Sequence, residues 1–378
     1  MSWIRVVVIN VVVLFGLLVV LELTWVIYDT SLRSKVKCKP DWVLYHPCPN
    51  TETTRLNHIS DGGRLIKIHF DELGGRVQPG SKSTLQKAHN FLIGDSFIHA
   101  DEMSYDETIY GRWNRDVENT AYGLGYSSWN PIQYLDVIER IGRADSHYYV
   151  FLMTNDTAPG DGRSVSRERR DSNPASDILK ERLFYKLLSV AKRNYEFKEA
   201  RTSMKETNAL EIVSDKFSVR KVNDCSGLDE LKGSNYTSKL GFDYLVFSKN
   251  YDCWPEFHRK AFDEFVTITK DIESYVLSNL SSKLTFVWVG AGWAHKDQNS
   301  IGRKAVNYGF SPKISVTHKG LVDAFRRRFP NADILDTEEV IAFDLAQCTK
   351  ECVDKYFYPV DGHWTPYTHE LILSNLKK

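Results

Sequence analysis

The sequence predicts an α/β fold, a parallel sheet covered by helices on both faces. Three observations predict it. Short, near-continuous apolar runs recur along residues 86–378, helical stretches separate them, and chemically unusual residues fall just after the runs. Strands buried on both faces lose the polar alternation of a half-exposed strand, so unbroken runs point to such a sheet.

Ahead of that region, the stretch from Val6 to Ile27 is apolar except for Asn10, Glu22 and Thr24. As a helix it would reach roughly 33 Å, enough to cross a bilayer core. Residues 1–28 are therefore expected to be an uncleaved transmembrane anchor, with Trp25 and Tyr28 at the membrane interface. Arg33, Lys35, Lys37 and Lys39 follow the span, and charge alone would keep the rest of the chain in the cytosol. The six cysteines argue the other way and carry more weight. Cys38 with Cys48, Cys225 with Cys253 and Cys348 with Cys352 form sequence-local pairs, as disulfides do in an oxidising compartment. A single-pass protein with an extracytoplasmic domain is the expectation, in the periplasm, at the cell surface or in a secretory lumen. Disulfide connectivity stays open, and no second close pair with His completes a zinc site around Cys348 and Cys352.

Composition narrows the function. Lys plus Arg and Asp plus Glu are both 49 in 378 residues, so the basic excess of a general nucleic-acid binder is lacking. Residues 29–85 read as a juxtamembrane segment rich in turns, with a strand over Arg64–Phe70 ahead of the Gly74-Gly75 turn. The buried strands are then expected at Ala88–Ile93, Val117–Ala121, Tyr148–Met153, Leu284–Val289 and Ala332–Asp336. Helices are expected at Ile132–Ile141, Asp177–Arg193 and Phe257–Leu277. The interval of about 157–283 is too long for one crossover and is expected to contain a helical insertion.

Function in such sheets gathers at the carboxyl ends of the strands. Gly94-Asp95-Ser96-Phe97 sets a serine just past the first strand, at a turn opening a helix. Any turn can contain such a triplet, and alone it is weak evidence. Asn155 follows the third strand; alone it reads as a turn or capping residue. Asp361-Gly362-His363-Trp364 lies just before a final helix and pairs an imidazole with a carboxylate, as a general base oriented by an acid requires. Alone it reads as a surface loop. Together and in this order the elements are far more specific.

In these residues the chain resembles the SGNH, or GDSL-type, hydrolase superfamily, over roughly residues 86–378 less the insertion. Gly94-Asp95-Ser96-Phe97 looks like the block that holds the family's nucleophile. Asn119-Thr120-Ala121-Tyr122-Gly123-Leu124-Gly125-Tyr126 looks like the block with an oxyanion glycine, and Thr154-Asn155-Asp156 like the block with an oxyanion asparagine. Asp361-Gly362-His363-Trp364 looks like the acid–base block, in the Asp-x-His-Trp form similar to a polysaccharide-modifying branch. The resemblance implies a flavodoxin-like three-layer sandwich, with Ser96 as nucleophile, His363 as base and Asp361 as its acid. It implies Gly125 (Gly123 being the alternative) and Asn155 as oxyanion donors. Asp354 is the alternative acid. The chemistry it implies needs no metal and no organic cofactor. Trp364 and Trp129 are candidates for stacking on a sugar, with packing as the competing use; His99 reads as a helix-surface residue, with lining of the pocket as the alternative, and Asp101 and Glu102 as helix or loop charges.

Three functions remain open at this point. The leading one is an esterase removing O-acyl groups from a cell-surface carbohydrate. An O-acyltransferase would use the same residues, with a sugar hydroxyl replacing water. A catalytically silent binding or scaffold protein would keep only the fold.

Overall fold

The structure, a computed structural model, describes residues 46–115, 120–157, 256–290, 315–346, 352–359 and 361–377, with scattered positions before residue 44. The helix expected at Asp177–Arg193 and the expected cystines' Cys225, Cys253 and Cys348 lie outside the described residues. Among the described residues no helix is long and apolar enough to cross a membrane. Residues 1–28 are described only at scattered positions, so the expected anchor lies largely outside them; there Ile9, Val13, Leu17 and Val20 are helical and exposed.

The chain begins with short antiparallel pieces. Strands β1 (Lys37–Cys38) and β2 (His46–Pro47) pair, and a disulfide joins Cys38 to Cys48 beside them. Cys352 is disulfide-bonded too, to a partner outside the described residues. Strands β3 (Glu52–Leu56), β4 (Leu65–Phe70) and β5 (Arg76–Val77) form an antiparallel sheet in the order β3-β4-β5. Its β4 alternates, burying Ile66, Ile68 and Phe70 on one face.

Five parallel strands make the central sheet: β6 (Asn90–Gly94), β7 (Ala121–Gly125), β8 (His147–Leu152), β9 (Lys283–Trp288) and β10 (Asp333–Asp336). Their spatial order is β10-β9-β8-β6-β7. Counted from the first central strand this is 2-1-3-4-5, the doubly wound flavodoxin-like order. Successive residues of each strand face opposite ways, and two cores result. Phe91, Ile93, Tyr148, Val150, Phe286 and Trp288 meet helices Pro131–Ile141, Glu256–Ser274 and Ser315–Arg328 on one face. Leu92, Tyr149, Phe151 and Val287 meet Ile109–Trp113, Thr337–Leu345 and Pro366–Leu376 on the other. The expected three layers are present.

Two details differ from the sequence reading. Of the strand expected over Val117–Ala121, residues 117–119 lie outside the described residues; the described strand runs from Ala121 through both glycines to Gly125. Gly123 and Gly125 lie inside the strand at points of close approach: a Cβ on Gly123 would lie 2.2 Å from the Tyr110 ring. Helix Glu256–Ser274, inside the interval expected as an insertion, is part of the layer that covers the sheet.

Candidate active site

In a doubly wound sheet the crevice opens where successive crossovers diverge, here between the carboxyl ends of β6 and β8. Ser96 follows β6 there. It opens the four-residue helix Ser96–His99, whose cap is Asp95: the Phe97 N–H donates to Asp95 Oδ1 at 3.1 Å. Gly94 is paired with Gly125 of β7, and a Cβ on Gly125 would lie 2.7 Å from the Asp95 carbonyl and 2.8 Å from that of Gly94. Of the two candidate glycines, Gly125 is thus the one lying against the serine's turn. Asn155 stands in the 3₁₀ turn Thr154–Thr157, directly after β8. Its side chain is outside what the structure describes.

The carboxyl-terminal loop crosses to this crevice. Phe357 and Trp364 bridge, the Tyr358 N–H donates to the His363 carbonyl at 2.9 Å, and Gly362 turns the chain with φ at 85°. That left-handed residue suits glycine. It folds Asp361 and His363 back on one another although only one residue separates them. The Trp364 indole N–H donates to the Gly290 carbonyl at 3.0 Å, fastening the loop to the end of β9.

The outcome is a hydrogen-bonded succession. His363 Nε2 lies 2.7 Å from Ser96 Oγ, and His363 Nδ1 is hydrogen-bonded to Asp361 Oδ1. Ser96 is half-buried, with its hydroxyl 3.4 Å from Asp95 Oδ2 as a poorer alternative. Asp354 is exposed on the short helix Val353–Tyr356; the carboxylate on His363 Nδ1 is that of Asp361.

Residues that sequence reasoning did not place among the catalytic groups are also here. Glu102 is 1% exposed, and its Oε1 lies 3.3 Å from His363 Nδ1 and 3.1 Å from Arg55 Nη1. Arg55, from β3, also pairs with Asp101 Oδ1 and Asp361 Oδ2. The segment 29–85 therefore reaches the crevice rather than only leading up to it. Glu102 read as a loop charge and Arg55 lay in an unremarkable polar stretch, so neither carried a local signal. His99, expected on a helix surface, is buried and stacks on Phe70 with ring centroids 5.9 Å apart; burial lowers its pKa to about 4, which keeps it neutral.

Electrostatics follow from this crowding. Burial works to lower the His363 pKa, but Glu102, Asp361 and then Asp95 outweigh it and raise it above the ordinary 6.5. Burial works to raise Asp361, and its hydrogen bond with His363 and the charges of His363 and Arg55 hold it below the usual range. Glu102 is pushed up, by burial first and by the neighbouring carboxylates Asp101 and Asp361 against the pull of His363. Glu102, Asp361 and His363 also bring one donor atom each within 4.8 Å, the one such grouping with metal-ligating donors among the described residues. Asp361 and His363 already use theirs on each other and on Arg55 and Ser96.

Trp129 and Trp364 need correction as sugar-stacking candidates. They are 1% and 0% exposed, too enclosed to offer a ring face to a ligand. Trp129 is in the core of one sheet face, and Trp364 packs edge-on against Phe97 at 5.1 Å. Both serve packing.

Fold and site together define an α/β protein that sets a serine, an imidazole and a carboxylate in succession at the carboxyl edge of a parallel sheet. No family model and no curated protein matches the sequence. Among solved structures the chain is similar to a member of the lipolytic protein G-D-S-L family from Veillonella parvula, at 10% identity and a TM-score of 0.33, over 76% of this chain and 95% of that one. A likeness of that size carries no residue's role across.

Proposed function

We propose that the protein is a serine esterase that removes O-acyl groups, acetyl foremost, from a cell-surface carbohydrate. The succession Ser96 Oγ, His363 Nε2 and Nδ1, Asp361 Oδ1 carries the reading. Neutral His363 takes the Ser96 proton as Oγ attacks the ester carbonyl. The Gly125 N–H and the Asn155 amide serve as donors to the resulting oxyanion. Collapse breaks the ester C–O bond, His363 returns the proton to the leaving sugar hydroxyl, and water then releases the acyl group from Ser96. In this reading residues 1–28 anchor the protein in a membrane and the rest lies outside the cytosol; the Cys38–Cys48 disulfide supports an oxidising compartment.

The test is covalent. A fluorophosphonate probe is expected to label the folded protein at Ser96, with the adduct located by peptide mass spectrometry. A folded protein that never labels there sinks the enzymatic reading and leaves a binding role. Incubation with a chromogenic acetyl ester and an oligosaccharide should release free acetate. Acetylated sugar without proportional acetate would instead make the protein a transferase.

The raised His363 pKa adds a pH signature. Imidazolium cannot accept the Ser96 proton, so kcat/KM is expected to rise as pH climbs above neutrality. Stability should move the other way. A folded-state pKa above the unfolded 6.5 contributes stability that is fully present below 6.5 and is lost as pH rises through the folded value. Rates and melting temperatures measured from about pH 6 to about pH 10 check both trends. A rate already flat at neutral pH would show an imidazole that is not held protonated.

A further inference from the structure

Arg55 occupies a place that the serine chemistry above does not use. It comes from β3, outside the parallel sheet, and its guanidinium lies among three carboxylates. Asp361 is thereby gripped at both oxygens: Oδ1 faces the His363 ring and Oδ2 accepts from Arg55 Nη2. The other end of the guanidinium holds Asp101 and lies 3.1 Å from Glu102, whose own carboxylate is 3.3 Å from the same His363 nitrogen. The β3–β4 connection and β5 hold the surrounding backbone as well. The Asp361 N–H donates to Asp61 Oδ2 at 3.2 Å, Asn57 Nδ2 donates to the Glu102 carbonyl at 2.6 Å, and Arg76 Nη2 to that of Met103 at 2.6 Å.

We infer that Arg55 is a positioning residue for the reaction, fixing Asp361 on His363 Nδ1 and neutralising the Glu102–Asp101 pair that stands beside the same nitrogen. The inference rests on the esterase reading and extends it to the amino-terminal sheet, which then belongs to the working site. The physical reason is geometric as well as electrostatic. A guanidinium offers donors in a rigid fork, so one side chain spans two carboxylates at once, which an ammonium cannot do. Without it, the carboxyl groups of Asp361, Glu102 and Asp101 crowd His363 with no guanidinium between them. The carboxylate on Nδ1 then loses its fixed orientation.

The experiment compares wild type, Arg55→Gln and Arg55→Lys, all as the full chain. It measures the rate of fluorophosphonate labelling and kcat/KM against pH, with melting temperature alongside. Arg55→Gln is expected to slow both rates by about ten- to hundredfold, as loss of the outer partners that orient metal-ligating imidazoles does. Its rate–pH midpoint should move to more alkaline values, because loss of a nearby cation favours imidazolium. The charged groups acting on His363 are Glu102, Asp361 and Asp95, with the neutral imidazoles of His99 and His369 nearby, and none of them is removed in this variant. Arg55→Lys keeps the charge but not the fork, and should fall between the other two in rate with a smaller midpoint shift. It decides the matter if Arg55→Gln does not fold. A folded variant with wild-type rate and wild-type midpoint, whatever its melting temperature, overturns the inference alone. A wild-type protein that never labels at Ser96 removes the esterase reading, and the inference with it.

Discussion

Ser96→Ala is expected to lower kcat by about 10⁴- to 10⁶-fold, the scale at which removal of a serine nucleophile acts when its base and acid remain. Stability should barely change. The variant loses one hydrogen bond, to His363 Nε2 at 2.7 Å, at a half-buried position. A bond of that kind contributes about 0.5–1.5 kcal/mol. The same mutation should abolish probe labelling, because no other hydroxyl is in contact with His363 Nε2 among the described residues. A double variant, Ser96→Ala with His363→Ala, should be scarcely slower than the single one, since the two act as a unit. The measurement is single-turnover hydrolysis of an acetyl ester, with circular dichroism and thermal melting as folding controls. Substantial turnover by folded Ser96→Ala would show that the ester is attacked by something else. The roles of His363 and Asp361 would then have to be rebuilt.

The central sheet was legible because burial on both faces leaves an unbroken apolar run. Ala88–Ile93, Tyr148–Met153 and Leu284–Val289 each predicted a strand that the structure places within two residues, at Asn90–Gly94, His147–Leu152 and Lys283–Trp288. The strand Ala121–Gly125 reaches past the expected run, which ended at Ala121, because its two glycines break the apolar continuity by which a buried strand is recognised. Only the partners across space, Tyr110 and the Asp95 carbonyl, show why side chains are missing there. The same distinction divides the site. Ser96, Asp361 and His363 belong to short runs whose neighbours, Gly94 and Gly362, announce a turn. Arg55 and Glu102 are 46 and more residues from the groups they hold or sit in featureless stretches, as with Arg55 and Asp101. No local pattern marks a contact made by folding. The tryptophans illustrate the converse: Trp364 sits in a telling motif, yet its indole is spent on the Gly290 carbonyl and the Phe97 ring.

The second large effect is expected at Gly125, and a control at Gly123 makes it specific. A Cβ at either position is too close to its neighbours, but the neighbours differ. At Gly123 the added atom would meet the Tyr110 ring at 2.2 Å, on the side of the sheet that packs against helix Ile109–Trp113. At Gly125 it would meet the carbonyls of Asp95 and Gly94 at 2.7 and 2.8 Å and Ile98 Cβ at 2.8 Å. These are the backbone of the serine's own turn, which has no flexible end to swing aside. Overpacking of this kind costs about 1–3 kcal/mol, so both alanine variants should melt at lower temperature. Activity should separate them. Relief at Gly125 has to push β7 and the Ser96 turn apart, and a displacement of about 1 Å at a reacting group can cost roughly 100-fold in rate. Relief at Gly123 moves Tyr110 and leaves Ser96 Oγ on His363 Nε2. Gly125→Ala is therefore expected to lose about 100-fold in kcat per folded molecule, and Gly123→Ala to stay near wild type. Titration of folded sites with the probe, followed by ester turnover below each variant's melting temperature, reads this out. Equal kcat in the two variants would mean that the Gly94–Gly125 contact supports the fold without setting the position of Ser96.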